Sequence, residues 1–310
     1  MKNTIVVAGI NGFVGQHLAK NLHAHGCEVI GVGREPRPNP ELGDSIDDYV
    51  VCDLTDVASV KKLRPLLTTA NAVINLAGIA TTNNDPSETD SLFKINTGVH
   101  AVLYSTMSDI GVKARVIAVS TGLEYKTEQT MPLTENSKLQ EDTDSTNAYV
   151  RTKLRVEQIA ERYRKDGLEI ITVRPFNHTG PGQGLGFFVP DQIVKIHDAI
   201  LFGKRMELGN GLDFWRDFTD VRDVVEAYRL LATMPTEKLR STTYNIASGT
   251  PVFGRDLFRL IAAQMQFTNY NLTLNNTSTS PKIYGSHALL SKDTGWQTTF
   301  SLQQTIADQL

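Results

Sequence analysis

The stretch that decides the fold is Ile5-Val-Val-Ala8 followed directly by Gly9-Ile-Asn-Gly12-Phe-Val-Gly15. A short run of β-branched and small apolar residues predicts a strand buried on both faces. Behind the glycines, residues 12–25 carry apolar side chains at helical spacing. The predicted buried face of that helix is Phe13, Leu18 and Leu22. Strand, glycine turn and helix in this order begin a βαβ unit.

The same alternation continues as far as residue 175. Short apolar runs predict further strands at residues 28–32, 49–51, 72–76, 115–119 and 169–173. Longer amphipathic or charged stretches predict helices at residues 57–67, 91–110 and 148–165. Strands that alternate with helices over short connections predict an α/β fold with a doubly wound parallel sheet of the Rossmann type.

Composition changes after residue 175. Residues 176–186 are rich in Gly and Pro, and residues 271–280 form a polar Asn/Thr/Ser run that we interpret as a surface loop. We expect residues 217–247 to return to the Rossmann domain through a helix at Val221–Leu231 and a strand at Tyr244–Ile246. The predicted division is a Rossmann domain of residues 1–175 with 217–247, and a smaller α/β lobe of residues 176–216 and 248–310.

Overall composition limits the class of partner. The chain has 310 residues, with 31 Lys and Arg against 34 Asp and Glu, so its net charge is −3. This balance gives no reason to expect binding to nucleic acid or to an anionic membrane. The two cysteines form no Cys-x-x-Cys pattern, and the N-terminal apolar run is too short for a signal peptide. We therefore expect a cytoplasmic protein without a metal site.

The glycines between the first strand and helix predict a dinucleotide site. Glycine permits a tight turn and lets the backbone approach a pyrophosphate, which the helix N-terminus then stabilises. The spacing G-x-x-G-x-x-G is one residue longer than the G-x-G-x-x-G fingerprint, and a turn used for packing alone is the alternative. The predicted cofactor contacts in this turn are Gly9, Asn11, Gly12, Phe13, Val14 and Gly15.

The end of the second strand favours NADP(H) over NAD(H). An acidic residue there would accept a hydrogen bond from the ribose 2′-hydroxyl of NAD, whereas an arginine suits a 2′-phosphate. Here Gly33 stands where an acid could be, and Arg34 and Arg37 follow. NAD(H) stays possible, because Arg34 could be a solvated loop cation. Asp53, after the third strand, could bind the adenine amino group or cap the next helix.

A tyrosine–lysine pair suggests acid–base chemistry. Only Tyr149 among the nine tyrosines is followed four residues later by a lysine, Lys153. Side chains at i and i+4 share a helix face, so the ammonium is expected near the phenol. A nearby cation favours phenolate and would lower the pKa of the tyrosine toward working pH. A solvated surface pair is the alternative reading.

With these motifs the chain resembles the extended short-chain dehydrogenase/reductases, which act on nucleotide-activated sugars. The likeness also includes Asn75-Leu-Ala-Gly78, Asn96 and Ser120-Thr121. It implies that Thr121 holds the substrate oxygen beside Tyr149 and that Lys153 also binds the nicotinamide ribose. Further cofactor contacts that it implies are Leu54, Leu76, Ala77, Gly78, Asn96 and Pro175.

Longer segments resemble one branch of that family, the GDP-4-keto-6-deoxy-D-mannose reductases. They are Arg174-Pro-Phe-Asn-His-Thr-Gly-Pro-Gly-Gln183, Arg216-Asp-Phe-Thr-Asp-Val-Arg-Asp223, Gly285-Ser-His and Thr294-Gly-Trp. This likeness implies a nucleotide-sugar substrate whose diphosphate faces Asn177 and Arg216. The alternative for Arg216 is an ion pair with an aspartate. We read Asp217, Asp220 and Asp223 as carboxylates at a helix start rather than as a cation site.

The expected reaction is NADPH-dependent reduction of the C4 keto group of a nucleotide-diphospho-4-keto-6-deoxyhexose. The related 4,6-dehydratases need a carboxylate two residues after the catalytic threonine, but that position is Leu123, and Glu124 falls one residue later. A shift of one residue turns a side chain to the other face of an extended chain. An NAD-dependent 4-epimerase and a non-catalytic NADP(H) sensor are the alternatives. The resemblance also implies a homodimer through helices near 91–110 and 148–165.

Overall fold

The structure is a computed structural model that describes residues 2–81, 86–273 and 280–310. Its strands are β1 (Thr4–Ala8), β2 (Glu28–Gly33), β3 (Asp48–Val51), β4 (Ala72–Asn75), β5 (Arg115–Val119), β6 (Ile170–Pro175), β7 (Asn177–Thr179), β8 (Met206–Leu208), β9 (Trp215–Asp220), β10 (Thr243–Ile246), β11 (Pro251–Phe253) and β12 (Tyr270–Leu272). Its α-helices are α1 (Phe13–Ala24), α2 (Val57–Lys61), α3 (Arg64–Thr69), α4 (Thr89–Asp109), α5 (Ala148–Lys165), α6 (Phe188–Leu201), α7 (Val221–Thr233), α8 (Gly254–Gln264), α9 (Ala288–Thr294) and α10 (Leu302–Ala307).

The largest sheet is parallel throughout and contains β1 to β6 together with β10. Its strand order within the described residues is β10-β6-β5-β4-β1-β2-β3, and every neighbouring pair is parallel. Side chains that alternate along β1 enter two separate cores, Ile5 and Val7 on the α1 and α7 side, Val6 and Ala8 on the α4 and α5 side. Burial on both faces explains the unbroken apolar runs, and the predicted doubly wound α/β fold is confirmed.

One predicted helix is broken in two. The expected helix at residues 57–67 ends at Lys61, and α3 begins at Arg64 with Pro65 in its first turn. Proline has no N–H to donate, and its ring excludes the carbonyl four residues earlier, so it is tolerated only where a helix starts. The chain therefore restarts the helix instead of continuing through Pro65.

A second lobe contains two small sheets, ordered β11-β9-β7 and β12-β8. The strand β9 includes residues 217–220, so the predicted division after residue 216 falls inside a strand. By contrast, β10 is a strand of the parallel sheet, and α7 packs against that sheet. The Gly- and Pro-rich segment at 176–186 contains β7, which pairs with β9. The predicted polar loop at 271–280 begins inside β12, and its residues 274–279 lie outside the described residues.

Within the described ranges, none of the helices combines the length and apolar character that crossing a lipid bilayer requires.

Candidate active site

In the glycine turn after β1, the backbone lies very close to other backbone segments. Gly9 has a φ of +78°, and a Cβ there would lie 2.8 Å from the Ala77 nitrogen. A Cβ on Gly15 would lie 2.5 Å from the Ile10 carbonyl oxygen. Gly12 occupies the N-cap position of α1 and contributes no side chain. A bare helix N-terminus in such a turn suits a phosphate, because its free N–H groups and the helix dipole attract anions.

A cavity of about 200 Å³ opens at the carboxyl ends of β1, β2 and β4. The predicted cofactor residues that line it are Gly9, Asn11, Gly12, Gly33, Arg34, Asp53, Leu54, Leu76, Ala77 and Gly78. Lining residues that sequence reasoning missed are Val32, Glu35, Cys52, Thr55, Ile79, Ile95 and Val99. Ligands of doubly wound folds bind at this edge of the sheet, and the glycine turn that borders the cavity suits the phosphates of a dinucleotide.

The helix-capping alternative for Asp53 is wrong. Asp56 is the N-cap of α2, and its carboxylate accepts hydrogen bonds from the backbone of residues 58 and 59. Asp53 instead accepts two hydrogen bonds from Thr55, at 2.9 Å from the nitrogen and 2.8 Å from the hydroxyl, which lower the pKa of its carboxyl. Asp53 is exposed on the cavity wall and stays available to a ligand.

Both polar atoms of the Asn96 side chain are hydrogen-bonded to other parts of the protein. Its Nδ2 donates to the Ile79 carbonyl and to Thr152 Oγ1, both at 3.1 Å, and its Oδ1 accepts from the Ile79 nitrogen at 2.7 Å. Thr152 in turn donates to the Tyr149 carbonyl at 2.7 Å. Asn96 therefore ties the loop after β4 to the helix that carries Tyr149, which makes it a positioning residue.

Thr121, Tyr149 and Lys153 lie together at the ends of β5 and α5. The Thr121 hydroxyl lies close enough to the Tyr149 phenol to lower its pKa. Lys153 Nζ lies 5.8 Å from the centroid of the Tyr149 ring and donates to the Val119 carbonyl at 2.8 Å. The structure thus brings together the three predicted catalytic residues, with Asn147 as the N-cap that starts α5 just before Tyr149.

The predicted lowering of the Tyr149 pKa is wrong. Burial and the nearby Glu124 carboxyl raise the pKa of the Tyr149 phenol, against the Thr121 hydroxyl, which lowers it. Burial also lowers the pKa of Lys153, to about 8, although Glu124 opposes this. At both groups the largest cause is desolvation, which disfavours the charged form. Tyr149 is therefore a protonated phenol at neutral pH.

Glu124 does not reach the cleft. It is fully buried, and its Oε1 accepts from Ser120 Oγ at 2.6 Å. Burial and neighbouring Glu157 raise its pKa, while Glu157 itself, though buried, is held below its usual pKa by two hydrogen bonds from Arg174. Residues 122–124 form a 3-10 helix instead of extended chain, so the expected change of face by a one-residue shift does not apply, although the carboxyl is fully buried.

Arg216 is a partly buried cation on the second lobe. Its Nη1 donates to the Trp215 carbonyl at 2.8 Å, and its guanidinium lies 5.9 Å from the Phe214 ring centroid. Over the described part of the chain, Arg216 forms no ion pair, so the alternative of a pair with an aspartate is not found. Burial lowers its pKa. A desolvated cation without a carboxylate favours an anionic ligand. Asn177, the other predicted diphosphate contact, is partly exposed on β7, the strand next to β9.

The three aspartates near α7 have separate structural roles, and one expectation about them is wrong. Asp220 caps α7, and Asp223 in its first turn accepts hydrogen bonds from the backbone of Thr299 and residue 300. Asp217 is not at the helix start but in β9, where it accepts from Ser248 and from the nitrogens of residues 249 and 285. In the described ranges, no cluster of His, Cys, Asp and Glu could hold a metal ion.

The fold and the site together define a doubly wound α/β protein with a dinucleotide cradle beside a Thr-Tyr-Lys cluster. The chain belongs to the NAD dependent epimerase/dehydratase family, whose sequence model matches residues 5–247. This family contains NAD(P)-dependent oxidoreductases and epimerases of sugar nucleotides.

The similarity to individual relatives covers most of the chain. A GDP-6-deoxy-D-mannose reductase of Pseudomonas aeruginosa is 29% identical over 320 residues, covering 99% of this chain and 95% of the relative. A GDP-6-deoxy-D-talose 4-dehydrogenase of Aggregatibacter actinomycetemcomitans is 29% identical over 83% of this chain and 78% of its own. The solved structure of RMD from Pseudomonas aeruginosa complexed with NADPH has a TM-score of 0.80 and 26% identity, covering 99% and 97% of the two chains.

Proposed function

We propose that this protein reduces the C4 keto group of a nucleotide-diphospho-4-keto-6-deoxyhexose with NADPH, and that NADH is a possible substitute. The observation that carries the proposal is the cluster of the Thr121 hydroxyl, the Tyr149 phenol and the Lys153 ammonium at the ends of β5 and α5. Reduction of a carbonyl needs a proton donor at the oxygen, and a phenol at neutral pH holds a proton that it can give. The relatives named as a reductase of a GDP-linked deoxysugar and as an NADPH complex support the same substrate class and cofactor.

The residues of this chain divide the work as follows. The glycine turn and the cavity wall hold the dinucleotide, whose nicotinamide supplies a hydride when bound. The Thr121 hydroxyl holds the substrate carbonyl oxygen beside Tyr149, and the phenol gives its proton to that oxygen. The Lys153 ammonium, held at the Val119 carbonyl, stabilises the phenolate that remains. Glu124 is fully buried, which argues against the proton removal from carbon that a dehydratase requires.

The direct test is to incubate the purified protein with NADPH and GDP-4-keto-6-deoxy-D-mannose and to follow cofactor absorbance. We expect oxidation of one NADPH per sugar, with NMR of the product giving the configuration at C4. No oxidation with that substrate or with other nucleotide-linked 4-keto-6-deoxyhexoses would contradict the proposal. Tightly retained NAD(H) with interconversion of C4 epimers and no net oxidation would indicate an epimerase instead.

Arg216→Ala tests the predicted diphosphate contact. A charge-assisted hydrogen bond contributes about 1.5–3 kcal/mol, so we expect KM for the nucleotide sugar to rise about 10- to 100-fold. NADPH affinity should stay the same, because Arg216 lies on the second lobe and does not line the cofactor cavity. The matched control is Arg205→Ala, which removes an exposed arginine paired with Glu207 on the same lobe. If the two substitutions changed KM equally, Arg216 would not contact the substrate.

The pH dependence follows from Lys153. Its pKa in the free protein is about 8, so the ammonium is present below that pH and is lost as the pH rises through it. We expect kcat/KM for NADPH to fall above about pH 8, because this parameter reports the protonation state of the free enzyme. Lys153→Arg keeps the cation and should shift that limb to higher pH. A profile that is flat across this range in the unaltered protein would rule out a role for the ammonium.

The homodimer through α4 and α5 also remains a prediction. Sedimentation of the purified chain measures it directly.

A further inference from the structure

The carboxylate of Glu35, two residues after the last residue of β2, lies over the end of that strand. Glu35 Oε2 accepts a hydrogen bond from Asn11 Nδ2 at 2.8 Å. The same oxygen would lie 3.0 Å from a Cβ built on Gly33. The space that a side chain at residue 33 would enter is therefore already bordered by the Glu35 carboxylate.

Residue 33 itself has no room for a side chain. A Cβ there would lie 2.5 Å from Tyr49 Oη and 3.3 Å from Asn11 Nδ2. The Tyr49 hydroxyl is held in place, because it donates to the Glu35 carbonyl at 2.9 Å and accepts from Asn11 Nδ2 at 3.2 Å. Any acid at this end of the strand has to come from another position, and Glu35 supplies it.

This place matters for the cofactor. In doubly wound folds, a carboxylate at the end of the second strand accepts a hydrogen bond from the 2′-hydroxyl of the adenosine ribose. Glu35 and Arg34 both line the cofactor cavity, so a carboxylate and a guanidinium border the same region. A 2′-phosphate is attracted by the arginine and repelled by the carboxylate, whereas a 2′-hydroxyl can donate to the carboxylate.

We propose that Glu35 is the residue that limits selectivity for NADP(H) in this protein: its carboxylate accepts the 2′-hydroxyl of NAD(H) and opposes the 2′-phosphate of NADP(H), which Arg34 attracts. The inference rests on the nicotinamide cofactor of the proposed function. It corrects the reading in which Gly33 meant that no acid is present at this strand end. The hydrogen bond from Asn11 also lowers the pKa of the Glu35 carboxyl, which keeps it charged at neutral pH.

Binding of either NAD(H) or NADP(H) requires only a rotation of the Glu35 side chain. When the Glu35 side chain swings away from a 2′-phosphate, Asn11 Nδ2 keeps its contact with Tyr49 Oη, so no buried donor is left unpaired. The backbone stays in place, because Tyr49 holds the Glu35 carbonyl and Asn11 Oδ1 accepts from the Asn39 nitrogen at 2.8 Å. The Glu35 side chain is exposed and free to rotate into solvent.

The test is a comparison of dissociation constants for NADPH and NADH by isothermal titration calorimetry at low ionic strength, without any sugar. Glu35→Gln removes the charge and keeps the shape. We expect the ratio of the NADH to the NADPH constant to rise about tenfold, mostly through tighter NADPH binding, since one unit charge near a phosphate dianion contributes on this scale in water. The gain should shrink as salt is added. Arg34→Ala should change the ratio in the opposite direction.

Glu41→Gln is the matched control, because it removes an exposed carboxylate from the same segment, outside the cavity. We expect its ratio to stay within about twofold of the unaltered protein, as distant exposed charges are screened. A parallel change of both constants in Glu35→Gln, an unchanged ratio, or the same shift in Glu41→Gln overturns the proposal, as does a chain that binds neither cofactor. Cofactor binding with the expected shift but no turnover of any ketosugar would refute only the proposed function.

Discussion

Tyr149→Phe lowers kcat for ketosugar reduction by about a thousandfold and leaves the NADPH dissociation constant within about twofold of the unaltered protein. General acids of this kind contribute about 10²- to 10⁴-fold, and phenylalanine has no proton to give. The ring remains, so packing around Lys153 is preserved. Stopped-flow measurement of NADPH oxidation at saturating sugar, with calorimetry for the cofactor, separates the two effects.

Tyr163→Phe is the matched control for that substitution. It removes a hydroxyl from the same helix, α5, at a side chain that packs edge-on against Tyr104 away from Thr121. We expect full activity. If Tyr149→Phe retained more than a tenth of the original kcat, the proton would have to come from another group, and the assigned role of Tyr149 would be wrong.

Gly15→Ala is expected to weaken NADPH binding about a hundredfold and to destabilise the fold by about 2 kcal/mol. The added Cβ would meet the carbonyl oxygens of Ile10 and Gly9 at 2.5 and 2.6 Å, and backbone atoms do not move aside as a flexible side chain does. The first turn of α1 must then shift away from β1, which misplaces the donors that face the pyrophosphate by a fraction of an ångström or more. Calorimetry for the cofactor and urea denaturation for the free energy of unfolding measure the two effects.

Gly98→Ala serves as the control, because a Cβ on Gly98 in α4 would have no neighbour within 4 Å. Alanine is the better helix former, so this variant should be as stable as the original or more stable by up to about 1 kcal/mol. Its cofactor affinity should be unchanged. Normal NADPH affinity in Gly15→Ala would mean that the turn does not hold the pyrophosphate.

Local patterns predicted much of the fold. The bounds expected for β5 and α5 agree with the structure to the residue, at Arg115–Val119 and Ala148–Lys165. Both segments are long or strongly apolar and have clear ends, and Asn147 supplies a side-chain cap to α5. The break at Pro65 follows from the proline itself, but the amphipathic pattern of residues 57–67 continues across it.

The candidate site was predictable where chemistry follows from spacing. Tyr149 and Lys153 share a helix face by periodicity alone, and Thr121 enters through resemblance. The direction of the shift in the Tyr149 pKa was not predictable. It depends on how far burial removes water from the phenol and on the Glu124 carboxyl, which the fold brings near it. Glu35 gave no signal either, since a glutamate in an exposed loop is ordinary.

By itself, the sequence determined a doubly wound sheet, a glycine turn at its first strand and a Tyr-x-x-x-Lys helix, because each depends on neighbours within a few residues. Only the tertiary structure decided which charges are left without partners. Arg216 has no ion-pair partner among the described residues. The Glu35 carboxylate lies over Gly33 because Asn11, 24 residues before Glu35, donates both to it and to Tyr49, which is 38 residues after Asn11. Such contacts join residues distant along the chain, and their energies depend on burial and distance, neither of which a linear pattern records.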